Sequence, residues 1–175
     1  MLQRQAFVVG RFQPVHKGHV TLIRRALELS ENVVIFIGSA QEDNTPKNPY
    51  TVFQRMEMIR VCFDENVQQR LVFIPLPDFK TNEEWVKFID SALSCYSQKT
   101  VSRISVVTDK DSDTQASNQV LRQVPYTDQY VCVFPNTLNA TDIRKKIFIE
   151  GEDPMKIHEL YPAVRALIKQ YMDKD

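Results

Sequence analysis

The chain has 175 residues, of which 43% are hydrophobic and 25% are charged, a balance that excludes a disordered or fibrous protein. Lys and Arg together number 22, as do Asp and Glu, so the formal net charge is zero. This balance argues against a general binder of nucleic acid or of membrane surfaces, which needs basic residues in excess. It leaves room for a small anionic ligand. At roughly 100–200 residues per domain, we expect a single domain over residues 1–175.

The compartment is predicted from what the sequence lacks. No apolar run approaches the roughly 20 residues that span a bilayer, and the first residues lack the apolar stretch of a signal peptide. The three cysteines, Cys62, Cys95 and Cys132, show no CxxC or metal-ligand spacing, and each lies in a segment of apolar pattern. We therefore expect buried free thiols and a reduced, cytoplasmic protein.

Strands and helices are predicted to alternate along the chain. In order, the pattern predicts a strand at 6–10, a helix at 17–30, a strand at 33–38, a helix at 51–64, a strand at 71–76, a helix at 83–97, a strand at 103–108, a loop or weak helix at 109–118, a strand at 130–134, and helices at 139–149 and 162–172. This order is typical of an α/β fold, a Rossmann-like parallel five-stranded sheet with helices on both faces. Ligands of such sheets bind at the carboxyl ends of the strands. Those ends are marked here by Gly10, Gly38, Asp78, Thr108 and Pro135.

The segment after the first strand concentrates basic residues in a chain without net charge. It reads Gly10-Arg11-Phe12-Gln13-Pro14-Val15-His16-Lys17-Gly18-His19 and ends where the first helix begins. A helix N-terminus offers unpaired N–H groups and a partial positive charge, which together favour an anion. The combination predicts a phosphate site, in particular for a phosphoryl group that gains charge in a transition state.

A second anion site is predicted at the start of the helix near residue 140. Asn139 or Thr141 can cap this helix, and Arg144 follows one turn later. Taken alone, the segment is as well explained by an ordinary capped helix with a solvated arginine. Its predicted place on the same edge of the sheet as the first segment favours the anion site.

These segments resemble the nucleotidylyltransferase superfamily, whose signature has the form (H/T)xGH. The first is similar to nicotinamide-nucleotide adenylyltransferases of the archaeal type and to the adenylyltransferase half of bacterial enzymes that also carry a Nudix domain. The resemblance, over about residues 6–150, extends to Gly38-Ser39-Ala40-Gln41, Lys47-Asn48-Pro49-Tyr50-Thr51, Val107-Thr108-Asp109-Lys110-Asp111-Ser112 and Asn139-Ala140-Thr141-Asp142-Ile143-Arg144. The family usually has serine where Asn139 stands, and either can cap a helix. The length leaves no room for a Nudix domain, so we expect a stand-alone enzyme or an excised domain.

The resemblance implies a nucleotidylyltransferase fold and adenylyl transfer from ATP to nicotinamide mononucleotide, giving NAD and pyrophosphate. It implies catalytic roles on the phosphates for His16, His19 and Arg144. ATP is expected to contact Gly10, Arg11, Phe12, Gln13, Lys17, Gly18, Thr108, Lys110, Asn139 and Thr141. The mononucleotide is expected to contact Gly38, Ser39, Asn48, Tyr50, Asp78 and Trp85. Mg²⁺ is expected to be held mainly by the ATP phosphates and water, without metal ligands from the protein.

The only tryptophan, an acidic segment and the third histidine have either two possible roles or a purely structural one. Trp85, the only tryptophan, fits either a core position or the aromatic face against which the related enzymes place the nicotinamide ring. The acidic residues Asp109, Asp111 and Asp113 lack the glycine and terminal glutamate of a calcium loop, and we interpret them as a solvated segment near the nucleotide. His158 lies outside every motif and is interpreted as a structural or surface residue.

Two other functions stay open at this point. The same chemistry could serve another acceptor, as adenylyl transfer to phosphopantetheine or cytidylyl transfer to a polyol phosphate, although Trp85 and the Asn48-Pro49-Tyr50 segment favour the mononucleotide. The chain could instead be a catalytically silent sensor of nucleotides, although both motif histidines and Arg144 are present. The sequence leaves open the preference between nicotinamide and nicotinate and whether the chain forms a homo-oligomer.

Overall fold

The computed structural model describes residues 4–96, 102–110, 112–133 and 139–174. Five strands form one sheet within these ranges: β1 Gln5–Gly10, β2 Val33–Ile37, β3 Leu71–Pro75, β4 Arg103–Thr108 and β5 Thr127–Cys132. The helices are α1 Lys17–Leu29, α2 Val52–Arg60, α3 Glu65–Gln68, α4 Asn82–Tyr96, α5 Ser112–Leu121, α6 Ala140–Phe148 and α7 Pro162–Asp173. All strand pairs are parallel, in the order β3-β2-β1-β4-β5. None of the helices described is long and apolar enough to cross a membrane.

Side chains of the central strands alternate between two hydrophobic cores. Ala6 and Val8 of β1 enter one core, which also receives residues of α1, α2, α6 and α7. Phe7 enters the other core, together with Ile89 of α4 and Leu121 of α5. Successive side chains of a strand point to opposite faces, so buried runs of this kind need a layer of helices on each side. The predicted five-stranded parallel sheet with helices on both faces is therefore confirmed.

The order of the strands places a crevice beside β1. The chain builds β1, β2 and β3 outward in one direction, and then returns to place β4 on the other side of β1. Loops that leave neighbouring strands in opposite directions open a crevice between the carboxyl ends of these strands. Here it lies between the ends of β1 and β4, where Gly10 and Thr108 stand.

The structure corrects several element bounds. α2 ends at Arg60 instead of near residue 64, and α3 follows after an Asp64 cap whose Oδ1 accepts from the Val67 N–H at 2.9 Å. α5 is a helix where the sequence left a loop or weak helix open; its apolar pattern is weak because few of its residues are buried. β5 begins at residue 127, three residues earlier than predicted, and predicted strand residue 134 and Pro135 lie outside the described residues.

The expectation of three buried cysteines is wrong for Cys95. All three thiols are free, but Cys95 is exposed, and Cys62 and Cys132 are half-buried. α4 turns Ile89 and Leu93 inward, and a residue two positions beyond Leu93 lies about 200° further around the helix, on its outer face. Burial raises the pKa of the Cys62 thiol to about 12.

Candidate active site

A cleft of about 580 Å³ opens at the carboxyl edge of the sheet. It is lined by most of the residues that the sequence analysis singled out: Gly10, Arg11, Phe12, Gln13, His16, Gly18, His19, Gly38, Ser39, Asp78, Trp85, Thr108, Lys110, Asn139, Thr141 and Arg144. Three other candidates, Lys17, Asn48 and Tyr50, do not line it. The structure thus brings both predicted anion motifs into one cavity.

Two histidines stand at the beginning of α1. His16 is the N-cap, and its Nδ1 accepts from the Gly18 N–H at 3.1 Å. The N–H of His16 in turn donates to Nδ1 of His19 at 3.1 Å. Because each Nδ1 accepts, each neutral ring carries its proton on Nε2. Nε2 of His16 is buried without a hydrogen-bond partner among the described residues, so it is a donor that a ligand can satisfy.

Burial keeps these two rings neutral. It lowers the pKa of His16 to about 3, with a further lowering by Lys110 and an opposing effect of Glu159. Burial also lowers the pKa of His19 well below its usual 6.5, helped by His16 and Lys110. At neutral pH the two histidines are therefore N–H donors rather than cations. The permanent positive charge of the cleft comes instead from its arginines and Lys110.

Arg144 joins the second motif to the first. Its guanidinium is largely buried, and Nη1 donates to the carbonyl of Gln13 at 2.8 Å while Nη2 donates to Thr141 Oγ1 at 3.3 Å. Asn139 caps α6, as predicted for one of two residues, because its Oδ1 accepts from the Thr141 N–H at 2.7 Å. Burial and the nearby Arg11 lower the pKa of Arg144. The group stays protonated at neutral pH, so it presents charge to the cleft.

Gln13 connects the first motif to the loop before α2. Its Nε2 donates to the carbonyl of Tyr50 and its Oε1 accepts from the Tyr50 N–H, both at 2.9 Å. The ring of Tyr50 is buried beside those of Phe148 and Tyr171, with centroids 6.4 and 6.2 Å away. This packing explains why Tyr50 does not line the cleft. Lys17 is also directed elsewhere, with its ammonium 5.8 Å from the ring centroid of Tyr161.

A carboxylate and an aromatic ring also line the cleft, those of Asp78 and Trp85. Asp78 accepts from Ser39 Oγ at 3.0 Å and from Gln41 Nε2 at 2.7 Å, which joins the exits of β2 and β3. Trp85 is half-buried, packs against the second core and also lines the cleft. Both interpretations of Trp85 therefore fit its position, since one part of the ring meets the core and another meets the cavity.

Sequence reasoning missed the contribution of α5. Asp113, Thr114, Ser117 and Asn118 line the cleft. Asn118 is buried, and its Nδ2 donates to the carbonyl of Thr108 at 2.8 Å, which attaches α5 to the exit of β4. The available signal was a run of polar residues at spacings of three and four, which is one face of a helix. Arg55, completely buried behind the cleft, was also missed. The described residues contain no group of three or more His, Cys, Asp or Glu side chains that could hold a metal ion.

Comparisons of sequence agree with this arrangement. The sequence model of a family described as cytidylyltransferase-like matches residues 7–146. The nicotinamide-nucleotide adenylyltransferase of Thermococcus onnurineus is 38% identical over 156 residues, which cover 86% of this chain and 75% of that protein. The nicotinamide-nucleotide adenylyltransferase of Picrophilus torridus is 30% identical over 171 residues, 95% of this chain and 90% of that protein.

A solved structure supports the same relationship. The bifunctional NMN adenylyltransferase/ADP ribose pyrophosphatase of Francisella tularensis, complexed with AMP and a manganese ion, has a TM-score of 0.77 and 27% identity to this chain. The match covers 99% of this chain and 50% of the other, so the chain spans half the length of that two-activity protein. The resemblance stated from the motifs is thereby confirmed.

Proposed function

This chain belongs to the cytidylyltransferase-like family, and on that premise we propose that it transfers the adenylyl group of ATP to nicotinamide mononucleotide, giving NAD and pyrophosphate. The names of relatives that are 37–38% identical support this activity. The observation that carries the proposal is the cleft itself, whose lining combines His16, His19 and Arg144, the groups proposed to bind phosphate, with the ring of Trp85. We propose that the 175 residues act as one nucleotidylyltransferase domain.

The chemistry needs charge neutralisation more than proton transfer. A phosphate oxygen of the mononucleotide forms a bond to the α-phosphorus of ATP, and the bond from that phosphorus to the β-bridging oxygen breaks, releasing pyrophosphate. The nucleophile is already an anion at neutral pH, so no general base is required. This agrees with the two histidines, whose Nδ1 atoms are occupied by backbone donors and whose Nε2–H groups can only donate.

Each phosphate-binding group has an assigned part in the proposal. His19 donates to the α-phosphate, and His16 donates to the triphosphate with its unpartnered Nε2. Arg144 binds the β- and γ-phosphates, with Arg11 assisting from the exit of β1. Together with the N-terminus of α1, these groups hold two anions in line for transfer. The contact of Lys17 with ATP, assigned on the resemblance, stays a prediction; this residue does not line the cleft, and its ammonium lies over the ring of Tyr161.

Mg²⁺ is proposed to accompany ATP, with most of its ligands supplied by phosphate oxygens and water. The ion supplies neutralisation of phosphate charge when it is bound. Asp113, Thr114 and Ser117, whose side chains carry oxygen atoms, are among the residues that line the cleft. We also propose a cytoplasmic location, since three free cysteines suit a reducing compartment.

Turnover with a panel of acceptors tests the proposed function. Purified protein is given Mg²⁺ with ATP and, in separate reactions, nicotinamide mononucleotide, nicotinate mononucleotide or phosphopantetheine, and with CTP and a polyol phosphate. We expect NAD and pyrophosphate in equal amounts from nicotinamide mononucleotide. Product formed only from phosphopantetheine or the polyol phosphate would assign another acceptor. Calorimetric binding of ATP or NAD without product from any acceptor would identify a silent sensor.

A further inference from the structure

Arg55 of α2 is a buried cation whose partners are backbone carbonyl groups. Its side chain has no exposed surface, and none of the ion pairs among the described residues includes it. Its guanidinium donates to five carbonyl oxygens, from Nη1 to Gly38 at 2.7 Å and Arg11 at 2.9 Å, from Nη2 to Ser39 at 3.3 Å and Glu42 at 3.5 Å, and from Nε to Thr51 at 3.3 Å. A charge is costly to bury, so these carbonyl groups must compensate its desolvation.

Two of these carbonyls belong to peptides that enter residues with left-handed backbone. The Arg11 carbonyl precedes Phe12, which has φ of 53°, and the Gly38 carbonyl precedes Ser39, which has φ of 45°. L-residues disfavour this region by roughly five- to thirtyfold each. Both carbonyls accept from the same nitrogen, Nη1 of Arg55. Nη1 of Arg55 thus holds the two peptides after β1 and β2 that precede residues of unfavourable positive φ.

Phe12 and Ser39, the two residues with left-handed backbone, each contact a residue that lines the cleft. The ring of Phe12 lies 4.8 Å from that of His19, and Ser39 donates its hydroxyl to Asp78. A change at Phe12 therefore reaches His19, and a change at Ser39 reaches Asp78. Arg55 itself does not line the cavity.

We propose that Arg55 is a positioning residue, which holds the exits of β1 and β2 in the left-handed geometry that places His19 and Asp78 in the cleft. The effect on turnover rests on the proposed adenylyl transfer, whereas the effect on backbone geometry does not. Arginine suits this role because its planar group carries five N–H donors in a fixed fork. Lysine carries three donors at one point and cannot span the same carbonyls.

The first test measures kinetics in Arg55→Lys, with Arg60→Lys on the same helix as the matched control. Arg60 is exposed, and its guanidinium lies over the ring of Phe73. We expect kcat/KM to fall about 10- to 100-fold in Arg55→Lys and less than about twofold in Arg60→Lys. Equal values for parent and Arg55→Lys would overturn the proposal.

Substitution of Ser39 tests whether Arg55 holds the backbone at this residue or only stabilises the fold as a whole. Ser39→Gly and Ser39→Ala both remove the hydroxyl, but only glycine adopts positive φ without cost. The ratio of their kcat/KM values should lie near one while Arg55 holds the peptide, and should rise to about fivefold in the Arg55→Lys background. Tyr126→Gly in both backgrounds is the control. Tyr126 also has positive φ but lies in the turn before β5, far from Arg55, so the effect of this substitution should be the same in both. A ratio that is the same in both backgrounds would overturn the proposal.

Hydrogen exchange tests the geometry without reference to any reaction. Arg55→Lys should speed exchange of the Gly38 amide, which donates to Gly10, and of the Ala40 amide, which donates to Leu76. The Arg103 amide, which donates to Tyr126 at the far end of the sheet, should keep the parental rate. An even increase across the sheet, or none at the strand exits, would contradict the proposal. If the parent lacks adenylyl transfer while the local increase is observed, only the proposed function fails.

The unmodified protein supplies a test if Arg55→Lys does not fold. In a spectrum of ¹⁵N-labelled guanidinium groups, the Nη hydrogens of Arg55 should give separate, slowly exchanging signals, because carbonyls hold them apart. The exposed Arg60 should give averaged signals. Averaged, rapidly exchanging signals from Arg55 would overturn the proposal.

Discussion

The imidazole rings of His16 and His19 stack with centroids 3.8 Å apart and planes inclined by 25°. Two imidazolium ions at about 4 Å would repel by about 4 kcal/mol at an effective dielectric constant near 20. The stack and the two backbone donors therefore allow neutral rings and disfavour a doubly protonated pair. Because the charge state of this pair depends on folding, the stability of the protein should depend on pH.

The His16→Asn variant should show a weaker loss of stability in acid. The pKa of His16 is about 3 in the folded protein and 6.5 for an ordinary histidine, so the unfolded chain binds more protons between these values. The contribution of His16 to the free energy of unfolding is therefore complete above pH 6.5. Below pH 6.5 this contribution decreases, by at most about 1.4 kcal/mol per pH unit. Asparagine can cap α1 and does not titrate. Urea unfolding at intervals from pH 7.5 to 5.0 measures both slopes.

Exposed His158 is the matched control for that experiment. His158→Asn should keep the parental slope, because His158 lies outside the cleft and outside the buried pair. If His16→Asn and the parent lose stability at the same rate between pH 6.5 and 5.0, burial of a neutral His16 is the wrong explanation.

The His19→Ala variant should fold and lose kcat by about 10²–10³-fold, which is the usual cost of one transition-state donor. His19 lies at the third position of α1, where alanine is compatible with the helix. Steady-state production of NAD measures the loss, and circular dichroism checks the fold. His158→Ala removes the remaining histidine of the chain and should keep the parental kcat. A near-parental kcat in folded His19→Ala would contradict the proposed contact of this residue with the α-phosphate.

The Arg144→Lys variant should not behave as a conservative change. Arg144 uses one nitrogen for the Gln13 carbonyl and another for Thr141, and lysine cannot reproduce such a fork. We expect KM for ATP to rise about tenfold or more, with a smaller change in KM for the mononucleotide. Arg122→Lys, an exposed position outside the cleft, is the matched control. Unchanged kinetics with ATP would move the triphosphate away from α6.

The Trp85→Ala variant separates the two interpretations of the sole tryptophan. If Trp85 stacks on the pyridine ring, its removal costs about 1–3 kcal/mol of binding, so KM for the mononucleotide should rise roughly five- to 150-fold while KM for ATP stays nearly unchanged. The mononucleotide should also quench or shift tryptophan fluorescence in the parent. Titration and steady-state kinetics measure both effects.

Phe88→Ala is the control for the core packing that Trp85→Ala also removes. Phe88 lies on the same helix, is also half-buried and packs against the same core, but it does not line the cleft. Its removal should lower the melting temperature and leave both KM values unchanged in the folded fraction. A Trp85→Ala variant that is destabilised like Phe88→Ala, yet binds the mononucleotide normally, would rule out the stacking role.

Features that depend on neighbouring residues could be predicted from the sequence. The apolar runs at the centre of the sheet predicted β1, β2 and β4 to within one residue, because a strand buried on both faces is mostly apolar. The cap of α6 was narrowed to Asn139 or Thr141, because an N-cap acts on an amide two or three positions later, and Asn139 is the cap. α5 was left uncertain because it buries little, so its pattern is weak.

The alternation of strands and helices and the chain order of the two predicted anion motifs could be predicted without the structure, since they depend on local backbone preferences. The contacts of these motifs could not be predicted, because they join distant parts of the chain. Arg144 meets the carbonyl of Gln13 across 131 positions, and Gln13 meets Tyr50 across 37. Burial makes the histidines neutral, and the carbonyls of two strand exits surround Arg55. Burial and hydrogen-bond partners of this kind arise from packing, which residue types and their spacing do not specify.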